Sequence, residues 1–242
     1  MAEVKVVASV QPTAASRKQP KVGDDLVAAI RAELPGFDPE TVFDVGANIG
    51  ATAIFFTRAF PRATVFAFEP VAETFQVLIE RTRAHSSVRA FNLALGRKRG
   101  RARMLIKRMS VANRVAEWRD SLKPSVPVTM TNGDAFCAEH GIARIGFLKI
   151  DTEGHDLEVL RGFRSLLQAH RIDLLETEVS MNPENRRHVR FEKVKAYLER
   201  RGYRLFLIHE QAREILAARK PMLRRVNAVF LSPKLIGIVA KD

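Results

Sequence analysis

Four residues within a stretch of six, Asp151, Glu153, His155 and Asp156, carry side chains able to move protons or hold a cation. They follow the apolar run Ile145–Ile150 and precede a helical stripe, which places them where a strand ends and a helix begins. An imidazole titrates near neutrality and is the commonest general base. The group therefore suits removal of a proton from a bound acceptor, with His155 as the base and Asp151 orienting either it or the acceptor. Glu153 belongs to the same candidate catalytic group. Acids near a helix N-terminus are also favoured by its dipole, which is the plainer account of Glu153 and Asp156. The same oxygens suit a second chemistry, in which Asp151, Glu153 and Glu178 ligate magnesium and acidify two acceptor oxygens. No complete ligand set can be assembled from the sequence, so a divalent metal is the less favoured reading.

A second constellation is Asp44-Val45-Gly46-Ala47-Asn48-Ile49-Gly50. Glycines at a strand-to-helix turn let backbone approach a ligand, and the helix start offers free N–H groups, as in sites for nucleotide-like cofactors. A dinucleotide fingerprint asks for glycine at the first, third and sixth positions, and counting from Gly46 the third is Asn48. Asp44 argues in the same direction. A carboxylate there would repel a pyrophosphate but attract the ammonium and sulfonium of S-adenosylmethionine, by about 4 kcal/mol at 4 Å and an effective dielectric near 20. Glu69 ends the next apolar run, where an acid can accept both hydroxyls of a ribose. Asp44, Gly46, Asn48, Gly50 and Glu69 are thus the candidate cofactor residues, with Asn92 added at the end of the third strand, bordering the adenine.

These residues need strands that end together. Leu26, Ile30 and Leu34 recur at helical spacing, and Thr41–Gly46 then reads as a strand followed by a helix from Gly50 to Ala59. Thr64–Pro70, Val88–Leu95, Val126–Met130, Ile145–Ile150, Ile172–Val179, Tyr203–Ile208 and Asn227–Leu231 read as further strands. Helices are expected around Phe75–Ile79, Asp134–Glu139, Leu157–Leu167 and Phe191–Leu198. Gly100 falls between the third strand and the β-like run Arg103–Lys107, which predicts a hairpin. Apolar strands alternating with helices predict a mostly parallel sheet covered on both faces, with ligands at the carboxyl ends of its strands.

The motifs VFDVGANIG (42–50), FAFEP (66–70), NLALG (92–96), FLKIDTEGHDLEVLRG (147–162) and NAVFLS (227–232) resemble the FkbM family of S-adenosylmethionine-dependent methyltransferases, over roughly residues 41–232. The resemblance implies a Rossmann-like class I methyltransferase fold, α/β, with a mostly parallel twisted sheet, helices on both faces and a C-terminal antiparallel strand. It also implies methyl transfer to a hydroxyl of a sugar, glycan or natural-product scaffold. Residues 1–40 form an N-terminal arm and leading helix outside it, and 41–242 the methyltransferase domain.

Composition narrows the rest. With 242 residues, 46% hydrophobic, the chain can bury a large core. One cysteine, Cys137, forms no intramolecular disulfide and suits a reducing compartment, and as a small residue on a predicted helix it reads as core. Neither a signal-peptide core nor an apolar run of membrane-spanning length is present, so the cytoplasm is the expected location. The net charge of +13 invites an anionic partner, but it is unevenly spread. Arg97–Arg119 holds nine Lys and Arg against one Glu, Arg186–Arg225 holds thirteen against four Glu, and 120–185 between them is net acidic. A solvated face or capture of an anionic acceptor accounts for such segments better than a nucleic-acid coat. Only 7% of residues are aromatic, which weighs against an RNA methyltransferase, the nearest alternative. A non-catalytic cofactor-fold module binding an anionic partner is the third reading. Ser110–Asn113 is a candidate acceptor loop, Trp118 a candidate lid residue, and Asn182, Glu184, Asn185 and His188 follow the strand carrying Glu176 and Glu178. Nothing in the sequence sets an oligomeric state.

Overall fold

The computed structural model describes residues 24–106, 114–115, 124–185, 187–215 and 221–237. The expected arm at 1–23, the loop Ser110–Asn113 and Trp118 lie outside them.

Seven strands form the main sheet in the order β10-β11-β9-β8-β1-β2-β3. They are β1 (Thr41–Val45), β2 (Thr64–Phe68), β3 (Val88–Phe91), β8 (Ile145–Ile150), β9 (Ile172–Ser180), β10 (Arg204–Ile215) and β11 (Pro221–Leu231). The first five are parallel, and β11 pairs antiparallel with both β9 and β10. Every residue of β8 and β9 is buried, as expected of central strands covered on both faces. The helices divide accordingly. α1 (Asp24–Glu33), α2 (Ala51–Ala59) and α3 (Ala72–Thr82) send Leu26, Ile30, Phe56 and Leu78 against Phe147 and Val65 on one face. On the other face, α4 (Gly133–Glu139), α5 (Asp156–Gly162), α6 (Arg164–Gln168) and α7 (Phe191–Glu199) pack Phe136, Leu160, Leu167 and Val194 with Phe43, Phe68 and Phe163. The leading helix is therefore part of the same packed body as the sheet. No helix of the described residues is long and apolar enough to cross a membrane.

The predicted third strand and its hairpin fold differently. Val88–Leu95 breaks at Asn92, whose side-chain amide donates to the Glu69 and Pro70 carbonyls at 2.9 and 3.0 Å. That break sends β3 into the main sheet and β4 (Ala94–Leu95) into a second one, ordered β4-β7-β5-β6. β5 (Gly100–Leu105) pairs not with its predecessor but antiparallel with β7 (Ser125–Thr131), and with β6 (Arg114–Val115). This insert presents Met104 and Val115 to the cleft described next. β10 and β11 also run past their expected lengths as a ribbon, bent by irregular register around His209–Ala212.

Candidate functional site

A cleft of about 660 Å³ opens at the carboxyl ends of β1, β2, β8 and β9, where open α/β sheets bind ligands. One end of it is made by main chain. Gly46 adopts φ 88°, and its N–H and that of Ala47 donate to the Phe68 carbonyl at 3.0 and 2.9 Å. A Cβ on Gly46 would lie 2.0 Å from the Asp151 carbonyl oxygen, so only glycine lets the ends of β1 and β8 meet. Asn48 and Gly50 are also left-handed, at φ 48° and 83°, which completes the turn that the spacing of glycines predicted. The turn points the Asn48 N–H at Glu69 Oε2 (3.1 Å), while the Val71 N–H donates to Oε1 (2.9 Å). Held on both oxygens by main chain, Glu69 keeps further lone pairs able to accept hydrogen bonds from a ligand. Burial pushes its carboxyl up to about 7 against those two hydrogen bonds.

Asp44 lies under this end, fully buried and outside the cleft lining, with no hydrogen bond to either carboxylate oxygen. Burial raises it to about 6, opposed by the Lys149 ammonium 3.9 Å away. Asn92 is exposed and also outside the cleft lining, bracing the end of β2 through the two bonds given above, while Leu93, Ala94 and Leu95 line the wall. The Asn48 side-chain oxygen and Thr152 Oγ1 are buried in the lining without partners. One orphaned acceptor and one orphaned hydroxyl, in the same lining as Glu69, fit the polar parts of a nucleoside-bearing methyl donor.

The other end is made by side chains. Lys149, two residues before the acidic turn, reaches Asp151 Oδ2 at 3.2 Å. Although burial opposes ionisation of Asp151, the Lys149 ammonium outweighs it and holds the carboxyl below its ordinary value. No hydrogen bond joins Asp151 to His155, so the expected orientation of the imidazole by this carboxylate is not made here. His155 itself precedes α5, lines the cleft and is driven below its ordinary pKa by burial. Its Nε2 is buried without a partner, leaving a neutral ring with an unused nitrogen.

Glu153 turns elsewhere. It is left-handed at φ 53°, accepts from Arg187 Nε at 2.7 Å and lies 3.4 Å from His188 Nε2. Gly154 beside it packs so closely on the Arg187 carbonyl that a Cβ would sit 2.0 Å from that oxygen. Glu178 pairs with His188 Nε2 at 2.8 Å and with Arg225. The result is a ladder of alternating charge, Arg187, Glu153, His188, Glu178, Arg225. Burial disfavours the charged imidazole, but the two carboxylates on His188 win and push it up to about 9. Asp156 is buried on the bonds it accepts from the Gly154 N–H and Thr177 Oγ1, and burial lifts it to about 7. Glu210, on the ribbon bend at φ 50°, also lines the cleft and accepts from Asn227 Nδ2.

Glu153, Glu178 and His188 bring one ligand atom each to within 4.8 Å of one another. Their carboxylates already carry Arg187, Arg225 and the imidazolium, and Asp151, the third oxygen of the magnesium reading, is tied to Lys149. The set is neutralised by the protein's own cations. Lys149 and Glu210 were not singled out from the sequence, and Arg187 and Arg225 stood out there only as members of the basic segment Arg186–Arg225. For Lys149 a signal existed, as the one charged residue in an otherwise apolar strand, Ile145–Ile150. Asn182 accepts from the Glu184 N–H at 3.0 Å in the turn after β9 and donates to Glu214 at 2.6 Å. Cys137 is buried core, as expected, its thiol pushed up to about 12 by burial.

The basic segments also resolve. Arg99 pairs with Glu139 and Arg103 with Ser125 Oγ, while Arg101 is exposed. From the second segment, Arg187 and Arg225 supply counter-charge to the acidic centre.

Residues 44–205 match the methyltransferase FkbM domain. Hexuronic acid methyltransferase AglP of Haloferax volcanii is 29% identical over 149 residues, 61% of this chain and 60% of that protein. Methyltransferase 1 of Beauveria bassiana is 26% identical over 146 residues, covering 52% and 59%. The chain thus spans about three fifths of the length of the curated relatives it matches. Among solved structures, a precorrin-6y C5,15-methyltransferase from Geobacter metallireducens is 11% identical with a TM-score of 0.47, over 90% of this chain and 93% of that one. With the match running from the β1 turn into β10, the chain belongs to the FkbM family of S-adenosylmethionine-dependent methyltransferases.

Proposed function

We propose that this protein transfers the methyl group of S-adenosylmethionine to a hydroxyl oxygen of a sugar, glycan or natural-product acceptor. What carries the reading is one cleft whose lining holds the turn that starts at Gly46, with Glu69, together with a neutral His155 whose Nε2 has no partner. Bound at the first end, S-adenosylmethionine supplies an electrophilic methyl on a cationic sulfur. Gly46, Asn48 and Gly50 shape the main chain beneath it, Glu69 accepts its ribose hydroxyls, and buried Asp44 favours its positive charges from below. Asn92 supports this end indirectly, by bracing the chain that carries Glu69.

In this reading His155 Nε2 takes the proton of the acceptor hydroxyl as the oxygen is methylated, which requires the nitrogen to be uncovered from its packing beside Gly96. A ring kept neutral by burial is already in the form that can accept it. Asp151, held as a carboxylate by Lys149, faces the acceptor. Glu153 acts through Arg187 and His188, fixing a wall in which planar donors and acceptors alternate. Such a wall suits neighbouring hydroxyls of a polyol, each of which both donates and accepts. The sugar substrate named for the Haloferax relative supports this acceptor class.

Labelled S-adenosylmethionine incubated with cell extract, followed by mass spectrometry, should reveal a sugar-containing product gaining one methyl group. His155→Ala, still folded and still binding the cofactor, should transfer methyl about 10²–10⁴-fold more slowly. A normal rate in that variant removes His155 from the role of base. Transfer that persists in EDTA is expected as well, and its loss would reinstate a metal.

A further inference from the structure

We propose that Lys149 is a positioning residue, a buried ammonium that fixes Asp151 as a carboxylate facing the cleft and couples it to Asp44 beneath the cofactor end. In the sheet register, Asp44 on β1 and Glu176 on β9 lie directly opposite Lys149 on either side. Side chains opposite one another on neighbouring strands share a face, so one cation stands between two acids. Its Nζ leans towards the cleft, 3.2 Å from Asp151 Oδ2 and 3.9 Å from Asp44 Oδ1. Lys149 is only 8% exposed in a strand whose every residue is buried. An apolar side chain there would satisfy packing without desolvating a charge, so stability alone does not account for the lysine.

The neighbouring charges leave Lys149 without a substitute. From β10, Glu210 adds a further acid that senses the ammonium. Arg225 on β11 and His188 in the loop after β9 also face Asp151, but both are engaged by Glu178. Asn227 on β11 contributes only an amide, donated to Glu176 and Glu210. Removal of the ammonium would leave Asp44, Asp151 and Glu176 close together, offset by His209, 3.5 Å from Glu176, and by Arg225 and His188, which Glu178 already engages, and carboxylates so crowded take up protons. A protonated Asp151 would lose both its anchor and its negative charge beside the transferred methyl. That consequence rests on the methyl-transfer reading; the ionisation of Asp151 does not, and can be measured without any ligand.

The test is a carbon-detected NMR titration of the aspartate carboxyls in the cofactor-free protein, with Asp151 assigned through Asp151→Asn. In the unaltered protein Asp151 should remain ionised to below its ordinary value of 3.8. In Lys149→Met its midpoint should rise by at least one pH unit, a tenfold gain in proton affinity, whereas Lys149→Arg should hold it near the original position. The acid limb of the methyl-transfer rate should move by the same amount in Lys149→Met. An unchanged midpoint in that variant overturns the proposal. So does an Asp151 that titrates at or above pH 4 in the unaltered protein, a result available even if the methionine variant does not fold. Calorimetry showing no S-adenosylmethionine binding by the unaltered protein would sink the methyl-transfer reading alone and leave the carboxyl titration to decide this one.

Discussion

The two ends of the cleft are built by different means. At the cofactor end, main-chain groups do the work: three left-handed residues in five, and two N–H groups that hold Glu69. At the end proposed for the acceptor, side chains from positions as far apart as Lys149 and Arg225 pair with acids of the cleft. A backbone-built end is intolerant of any added atom but indifferent to most side-chain chemistry. A charge-built end tolerates changes of shape and depends on which groups carry protons. The difference implies that one end fails by strain and the other by loss of charge.

Strain gives the largest expected effect. Gly46→Ala places a methyl where the Asp151 carbonyl lies and demands a left-handed conformation from a residue with a Cβ. The conformation and the overpacking together should cost about 3 kcal/mol, seen in urea denaturation, and calorimetry should show cofactor binding weakened beyond detection. A variant within about 1 kcal/mol of the original would mean that the turn yields, and that the cofactor end is softer than its backbone suggests.

The charge-built end should respond less steeply and with a different pH signature. Glu178→Gln leaves Arg225 and His188 without their shared acid. Breaking a buried pair costs about 3–5 kcal/mol, but Arg225 is a third exposed and water will recover part of that, so about 2 kcal/mol is expected. His188 is raised to about 9, so its contribution to stability is complete below its unfolded value near 6.5 and is lost as pH rises through 9. Stability of the unaltered protein should therefore fall between those values. In Glu178→Gln that fall should shrink, because one of the two carboxylates holding the proton has gone. Denaturation midpoints across pH 6 to 10 would show it, and an equal slope in both proteins would detach His188 from the ladder.

The same contrast explains what was legible in the sequence. Gly46, Asn48, Gly50 and Glu69 are local in the chain or one strand apart, and their spacing states a backbone geometry that the structure keeps. The strands and helices of the main sheet follow from apolar periodicity for the same reason. The ladder was not legible, because Glu153, Glu178, His188 and Arg225 become neighbours only through the parallel order of β8 and β9 and the antiparallel return of β11. Read along the chain, Arg186–Arg225 is a basic surplus beside an acidic stretch; in the fold, Arg187 and Arg225 are the acids' counter-ions. The second sheet was missed because a single side-chain amide, Asn92, ends β3 two residues before β4 begins, and no periodicity records that.

Asn92 also supplies the smallest and most discriminating change. Its position after the third strand suggests contact with the cofactor, yet its amide nitrogen is directed at two carbonyls, of Glu69 and Pro70, and it is absent from the cleft lining. A cofactor contact and a brace predict different outcomes for Asn92→Ala. Loss of a direct contact would weaken cofactor binding with stability intact. Loss of a brace should remove about 1 kcal/mol of stability, since one of the two bonds is exposed and water can replace it. Cofactor affinity should then change by no more than a few fold, because Glu69 keeps its own two main-chain donors. Denaturation and calorimetry on the same variant separate the two. A tenfold loss of affinity at unchanged stability would return Asn92 to the cofactor end as a contact, and would mean that this end depends on a side chain after all.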